Sequence, residues 1–185
     1  MILPVTTYED VIKNFRIVIS NECGIDLSRI LNSLSVRGPE LLKVMSDTQT
    51  YSFGLSDCFI VFELVEDNSA EDNVVLHEAD GSTSSISSYN MNMRIYGNDC
   101  HKTSQDIRMT FKNPDIALNM RSNGVYIYGI PFPTSINEIV NNTVWPRCDL
   151  TIKVKVRFNK KNKAIPDITG YSEIIINTIE KASEA

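Results

Sequence analysis

Between Leu150 and Phe158 the sequence alternates without a break. Leu150, Ile152, Val154, Val156 and Phe158 are apolar, and Thr151, Lys153, Lys155 and Arg157 stand between them. A period of two places successive side chains on opposite faces of an extended chain, so this segment is a β-strand with one face in a core and the other basic. Tyr89, Met91, Met93 and Ile95 repeat the pattern against Asn90, Asn92 and Arg94, up to a stop at Gly97 and Asn98. Phe59 to Val65 is instead a near-continuous apolar run, rich in aromatic and β-branched residues, as expected of a strand central in a sheet and buried on both faces. Val125 to Ile130 reads as a further strand.

Helical spacing frames these strands. Val11, Ile12, Phe15, Val18 and Ile19 recur three and four apart from Tyr8 to Glu22. Thr6 and Thr7, each followed three residues later by an acid (Glu9, Asp10), form a capping-box pattern, and Gly24 supplies a stop. Ile25 to Leu34 reads as a short second helix capped by Asp26 or Ser28, and Pro39 as the start of a turn through Leu42. Asp99 to Asn113 reads as a helix with Ile107 and Phe111 inward and Pro114 as its end. Tyr171 to Lys181, with Ile174, Ile175 and Ile179 inward, reads as a last amphipathic helix. The stretch from Glu66 to Ser88 is rich in Asp, Glu, Asn, Ser and Gly and reads as an exposed loop or β-hairpin arm, with Val74-Val75-Leu76 as a short hairpin strand. The expected fold is α+β, in a single domain spanning residues 1–185.

A chain of 185 residues, 42% hydrophobic and 22% charged, suits one core that needs neither disulfides nor metal to fold. The formal net charge of -5 is the wrong sign for a protein that grips nucleic acid through phosphate neutralisation. No run approaches the roughly 20 apolar residues of a spanning helix, and the first residues lack the basic and apolar regions of a secretory signal, so neither a membrane nor export is expected. Cys23, Cys58, Cys100 and Cys148 are irregularly spaced and the chain has two histidines, which points to reduced, mostly buried thiols rather than a zinc site.

The chemistry-bearing residues form no catalytic pattern. Cys100 and His101 are neighbours and so point apart on a helix. His77, near Asp72, Glu78 and Asp80, lacks the register of a calcium loop, and Gly81-Ser82-Thr83-Ser84-Ser85 lacks that of a phosphate cradle. No cofactor or metal is expected, and the protein is read as a non-enzyme. The basic set Lys153, Lys155, Arg157, Lys160, Lys161 and Lys163 suits either a surface for DNA or an acidic partner, or the solvated side of an amphipathic strand and turn, and edge strands also carry lysine. Trp145, just before that strand and beside Pro146 and Arg147, suits a subunit contact or a packed turn.

The order of features from Tyr89 to Phe158 is distinctive. An alternating strand ends in Ile95-Tyr96-Gly97, a helix follows, and a strand leads into Gly129-Ile130-Pro131-Phe132-Pro133. A linker then reaches Trp145-Pro146-Arg147 and the long alternating strand. This order resembles the tail (neck) terminator proteins of tailed bacteriophages, also called tail completion proteins. The resemblance implies a structural virion protein of the phage neck, made in the host cytoplasm. The fold it implies is a mixed, largely antiparallel β-sheet flanked by α-helices, and copies are expected to form a homo-oligomeric ring, a hexamer, that caps the tail tube, ends its polymerisation and joins the tail to the head. It implies contacts with the tail tube protein and the head-side connector protein, with a sheath protein as a further candidate, while DNA passes through the lumen without specific binding.

Residues expected at subunit or partner contacts are Asp67, Asp72, His77 and Asp80 in the arm, and Phe132, Trp145 and Arg147 in the segment before the long strand. Lys153, Lys155 and Arg157 on its basic face complete the set. The chain is longer than the family pattern between Asp26 and Leu55 and in the arm, which leaves a head-tail connector or another neck adaptor as the nearest alternative. A small cytoplasmic enzyme built from dispersed carboxylates, or an adaptor for an acidic partner, lies further off.

Overall fold

The computed structural model describes residues 5–32, 54, 56–67, 74–77, 83–140 and 142–160. Two long strands dominate: β4 (Thr83–Tyr96) and β7 (Thr143–Lys160) pair antiparallel over the whole of β4, from Thr83↔Lys160 to Tyr96↔Arg147. On one side of β4 lie β2 (Phe59–Glu66), along its C-terminal part, and β3 (Val74–His77), along its first residues. On the far side of β7 lie β5 (Val125–Gly129) and β6 (Thr134–Val140), which pair with successive stretches of that strand. A short strand β1 (Ile30–Asn32) runs parallel to β2, so the sheet, seven-stranded among the described residues, is mixed and mostly antiparallel, as the resemblance implies.

Alternation decides what each face carries. Ile60, Phe62 and Leu64 of β2, Met91, Met93 and Ile95 of β4, and Cys148 to Val156 at every second residue of β7 are buried together on one face. Helices α1 (Tyr8–Cys23), α2 (Cys100–Lys112) and α3 (Pro114–Ser122) contribute Val11, Phe15, Ile19, Ile107, Phe111 and Met120 to that core. The Phe15 and Phe111 rings meet at 4.9 Å between centroids, tying α1 to α2. The opposite face carries interleaved charges and amides. Arg94 pairs with Glu63 at 3.8 Å, and Thr151 donates to Asn92 Oδ1 at 2.8 Å.

The sequence reading of α1 holds to its caps: Thr7 is the N-cap of a complete capping box with Asp10, and Gly24 closes the helix at φ 66°. Other readings are corrected. Ile25 to Leu34 is not a helix over its described part. Asp26 caps a single 3-10 turn (Leu27–Arg29), and Ile30 and Leu31 then enter the sheet opposite Ile60 and Val61. Pro114 does not merely stop a helix; its missing N–H also suits the first position of α3, which Asn113 caps from the Asp115 N–H. The polar stretch at the end of the expected arm is strand, since Thr83 to Ser88 extends β4, with Ser84 and Ser88 buried. Trp145 lies within β7 rather than before it, and the presumed linker ahead of it contains β6. β2 lies second from one side of the sheet, and the centre belongs to β4 and β7, so the lysines of β7 are not edge lysines. The readings at Pro39 to Leu42 and Tyr171 to Lys181 fall outside the described residues.

Gly97 fixes the lower end of β4. At φ 109°, a Cβ there would sit 2.3 Å from the Asp57 carbonyl oxygen, so only glycine lets the chain turn from β4 into α2 so close to the residues before β2.

The capping box gives a direct test. The Asp10 carboxylate accepts from the Thr6 N–H, the Thr6 hydroxyl and the Thr7 N–H at 2.9–3.0 Å, and these bonds lower its pKa from 3.8 to about 2. A carboxyl with a depressed folded-state pKa stabilises the fold above its unfolded value, and that contribution is lost as pH falls through the folded value. Thr7→Ala is expected to cost about 1 kcal/mol at neutral pH in urea denaturation. Asp10→Asn is also destabilising at neutral pH, and its difference from the native chain narrows as the pH falls from about 4 to about 2.

Candidate assembly interface

Strands β6 and β7 form a hairpin that runs past the end of β4. Val140 pairs with Thr143 across a two-residue turn in which Asn142 takes φ 62°, a conformation that asparagine tolerates better than most residues. The last rung that β4 shares with β7 is Tyr96↔Arg147, so Thr143 to Pro146 have β6 alone as a described partner. Pro146 has no N–H to give and sits just beyond that last rung, while its carbonyl accepts from the Gly97 N–H at 3.1 Å.

A polar knot holds the base of this hairpin. Arg147 grips Asp149 with two bonds of 2.8 Å and reaches across to Glu138 of β6 at 2.7 Å. The Tyr96 hydroxyl donates to the same Glu138 oxygen at 3.0 Å. Under the knot the Phe59 ring stacks on Tyr96 at 4.9 Å and meets Trp145 edge-on at 6.4 Å, and all three are buried. Burial by itself would depress the Arg147 pKa, but the bonds to Asp149 and Glu138 outweigh it and raise the pKa. Burial, with the Glu138 charge beside it, pushes the Tyr96 hydroxyl up to about 12.

The tip of the hairpin is apolar and exposed. Ile139 and Val144 stand opposite each other in register, 72% and 52% exposed. At the other end of β7, β5 and α3 form a second exposed apolar region with Leu118, Tyr126 and Tyr128. Pro114, Ala117, Leu118, Arg121, Tyr126 and Ile127 line an open depression of about 340 Å³ there. Arg121 lies over the Tyr126 ring at 4.6 Å, and a neighbouring hollow is lined by Lys155 and Arg157. Among the described residues no strand pairs with the outer side of β5.

The residues singled out by sequence are dispersed over these regions. Phe132 is 74% exposed in the segment between β5 and β6, with the Arg108 guanidinium 3.9 Å from its ring centroid. Trp145 is buried and Arg147 lies in the knot, so within one copy both hold the hairpin's base. Lys153 and Arg157 are exposed and Lys155 half-buried on the polar face of β7. His77 is exposed at the end of β3, and the Asp67 N–H donates to the Ser88 carbonyl. Asp72 and Asp80 fall outside the described residues. The sequence reading passed over the β6–β7 hairpin and the β5–α3 groove. The signal for the groove was present in Val125-Tyr126-Ile127-Tyr128, a run apolar on both faces where a half-buried strand would show a polar one.

Cys100 and His101 are not alone, for β7 brings Cys148 beside them. His101 Nδ1 lies 3.4 Å from Ser135 Oγ and 4.0 Å from Cys148 Sγ. Cys148 is fully buried, and burial together with its hydrogen bond to Cys148 pushes the Cys100 thiol up to about 12, the opposite of what a thiolate nucleophile needs. Among the described residues no group of His, Cys, Asp and Glu is placed to hold a metal ion, and no helix is long and apolar enough to cross a membrane.

Comparison with protein families gives a match to the phage neck terminator protein family over residues 27–181. The chain belongs to this family. The matched span takes in the whole sheet, with α2 and α3, and begins after α1. A search of curated proteins found no match. A neck terminator is a structural component of the phage virion and works in contact with other neck and tail proteins.

Two outcomes test the knot. Arg147→Met leaves Glu138 and Asp149 without their cation and is expected to lower stability by roughly 1–3 kcal/mol in chemical denaturation. A phenol whose folded-state pKa is raised contributes stability that is complete below its unfolded value of 10 and lost as pH rises through about 12. Burial also raises Tyr8 and Tyr89, so ultraviolet titration at alkaline pH should show a late tyrosine component, and Tyr96→Phe should remove the part that titrates near 12.

Proposed function

We propose that six copies of this neck terminator close into a ring on the head-proximal end of the tail tube. The ring ends tube polymerisation and presents its other face to the head-side connector protein. The partners are the tail tube protein and the connector, with a sheath protein as a further candidate. The observation that carries this reading is that a chain of this family exposes two unlike apolar surfaces, the hairpin tip and the β5–α3 groove, at opposite ends of one strand. A closed ring needs heterologous contacts between unlike patches, whereas a two-fold dimer needs one self-complementary patch.

Charge supports a conduit. A ring that DNA must traverse should not hold phosphates, and a net charge of -5 per copy disfavours tight binding. Of the contact residues expected from sequence, Phe132, His77, Lys153 and Arg157 offer exposed groups to neighbours, and Trp145 and Arg147 act through the hairpin they hold. Phage assembled without the protein is expected to yield tubes longer than normal and not joined to heads, as seen by electron microscopy. Tubes of normal length that fail only to join heads would assign the chain to a connector or adaptor role instead.

A further inference from the structure

We infer that Cys100 and Cys148 are a site of oxidative modification, where hydrogen peroxide joins them in a disulfide that ties the first turn of α2 to the base of the β6–β7 hairpin. The fold brings the two sulfurs together from positions far apart in sequence. Cys148 stands opposite Ile95 in the β4–β7 ladder and opposite Ser135 of β6, on the core face of the sheet. The Cys100 N–H donates to the Gly97 carbonyl at 3.0 Å, so the turn that leaves β4 folds back and sets Cys100 in the same core. There the two thiols are hydrogen-bonded to each other. The other cysteines are engaged elsewhere along α2. Cys58 Sγ donates to Thr103 Oγ1 at 3.4 Å, and Cys23 Sγ lies 3.5 Å from Thr110 Oγ1, further down the helix.

A thiol buried in apolar surroundings is ordinarily inert, but Cys148 has a polar side. Its Sγ lies 3.5 Å from Ser135 Oγ and 4.0 Å from His101 Nδ1, so a hydroxyl and a base stand against the sulfur. His101 and Ser135 are both exposed, and this polar side therefore leads to solvent. Hydrogen peroxide, little larger than water, reaches Cys148 from there.

The Cys148 sulfur attacks one peroxide oxygen. An S–O bond forms, the O–O bond breaks, and the leaving hydroxide takes the thiol proton by way of His101 and departs as water. The Cys100 sulfur then attacks the sulfenic sulfur. The S–S bond forms, the S–O bond breaks, and a second water leaves with the Cys100 proton. Two thiols thus lose two electrons and two protons, and peroxide is reduced to two waters. Cys100 suits the second role, because direct contact with the partner sulfur makes up for a thiol that burial keeps protonated.

The bond closes the chain from 100 to 148, a stretch that contains α2, α3, β5 and β6. Cys148 adjoins Arg147, so the tie lies next to the knot that holds the hairpin. Thiols stay reduced in a cytoplasm, whereas a virion component is carried out of the cell, so the neck assembles unlocked and is fastened afterwards.

The test uses the native chain, purified reduced and treated with hydrogen peroxide at neutral pH, and is independent of ring formation. After acid quenching and unfolding, thiol titration should find two of the original four cysteines free, and peptide mapping without reductant should join Cys100 to Cys148. The melting temperature should rise by roughly 5–10 °C and fall back on reduction, since the cross-link restricts the unfolded chain. Cys58→Ser should form the same cross-link, and His101→Gln, altered at an exposed position, should lose its thiols several-fold more slowly. Four free thiols after treatment, a cross-link through Cys58, or Cys148 carried to the sulfinic acid without a cross-link would overturn the pairing. A cross-link that leaves the melting temperature unmoved would overturn the tie, and an unchanged rate in His101→Gln would overturn the role of the imidazole.

Discussion

Everything in this molecule is referred to the ladder between β4 and β7. Its unbroken antiparallel register from Thr83↔Lys160 to Tyr96↔Arg147 means that a slip of one residue would turn the faces of one strand over relative to the other. Either Met91 and Met93 would leave the helices and Asn90 and Asn92 enter the core, or Leu150, Ile152 and Val154 would leave and Lys153 and Lys155 enter. The cost of that exchange is what makes the register single-valued. The same register sets where β4 ends, and hence where the hairpin of β6 and β7 begins to stand alone.

Because β7 is longer than β4, it carries two different appendages on its far side. One end bears β5 and α3 with their groove, and the other bears the β6–β7 hairpin. The knot at Arg147 sits at the junction and converts a length difference between two strands into a directed projection. Two unlike surfaces at opposite ends of a stiff strand are the elements of head-to-tail association.

Legibility followed the strength of the local signal. The strict alternation of β7, the caps of α1 and the inward pair Ile107 and Phe111 could be read because each is decided by residues close in sequence. Ile25 to Leu34 misled because Ile25, Leu27, Ile30, Leu31 and Leu34 also fit a helical face; pairing with β2, distant in sequence, decides Ile30 and Leu31 instead. Thr83 to Ser88 was hidden by its serines, which are strand only because β3 and β7 pair with it on both sides. β6 was hidden in the same way, its Thr-Ser-Ile-Asn-Glu-Ile-Val sequence having no period of its own and gaining one from the hairpin. Of the site, Phe132, Trp145 and Arg147 could be named from sequence, but Glu138 and Asp149 were not, because the bond from Arg147 to Glu138 is a matter of register that no local pattern encodes.

An electron-microscopy reconstruction of the assembled neck bears most directly on the central claim. The proposed function predicts a closed collar of identical copies at the head-proximal end of the tail tube. A map that places this chain elsewhere in the particle, or as isolated copies around another protein's ring, would contradict it.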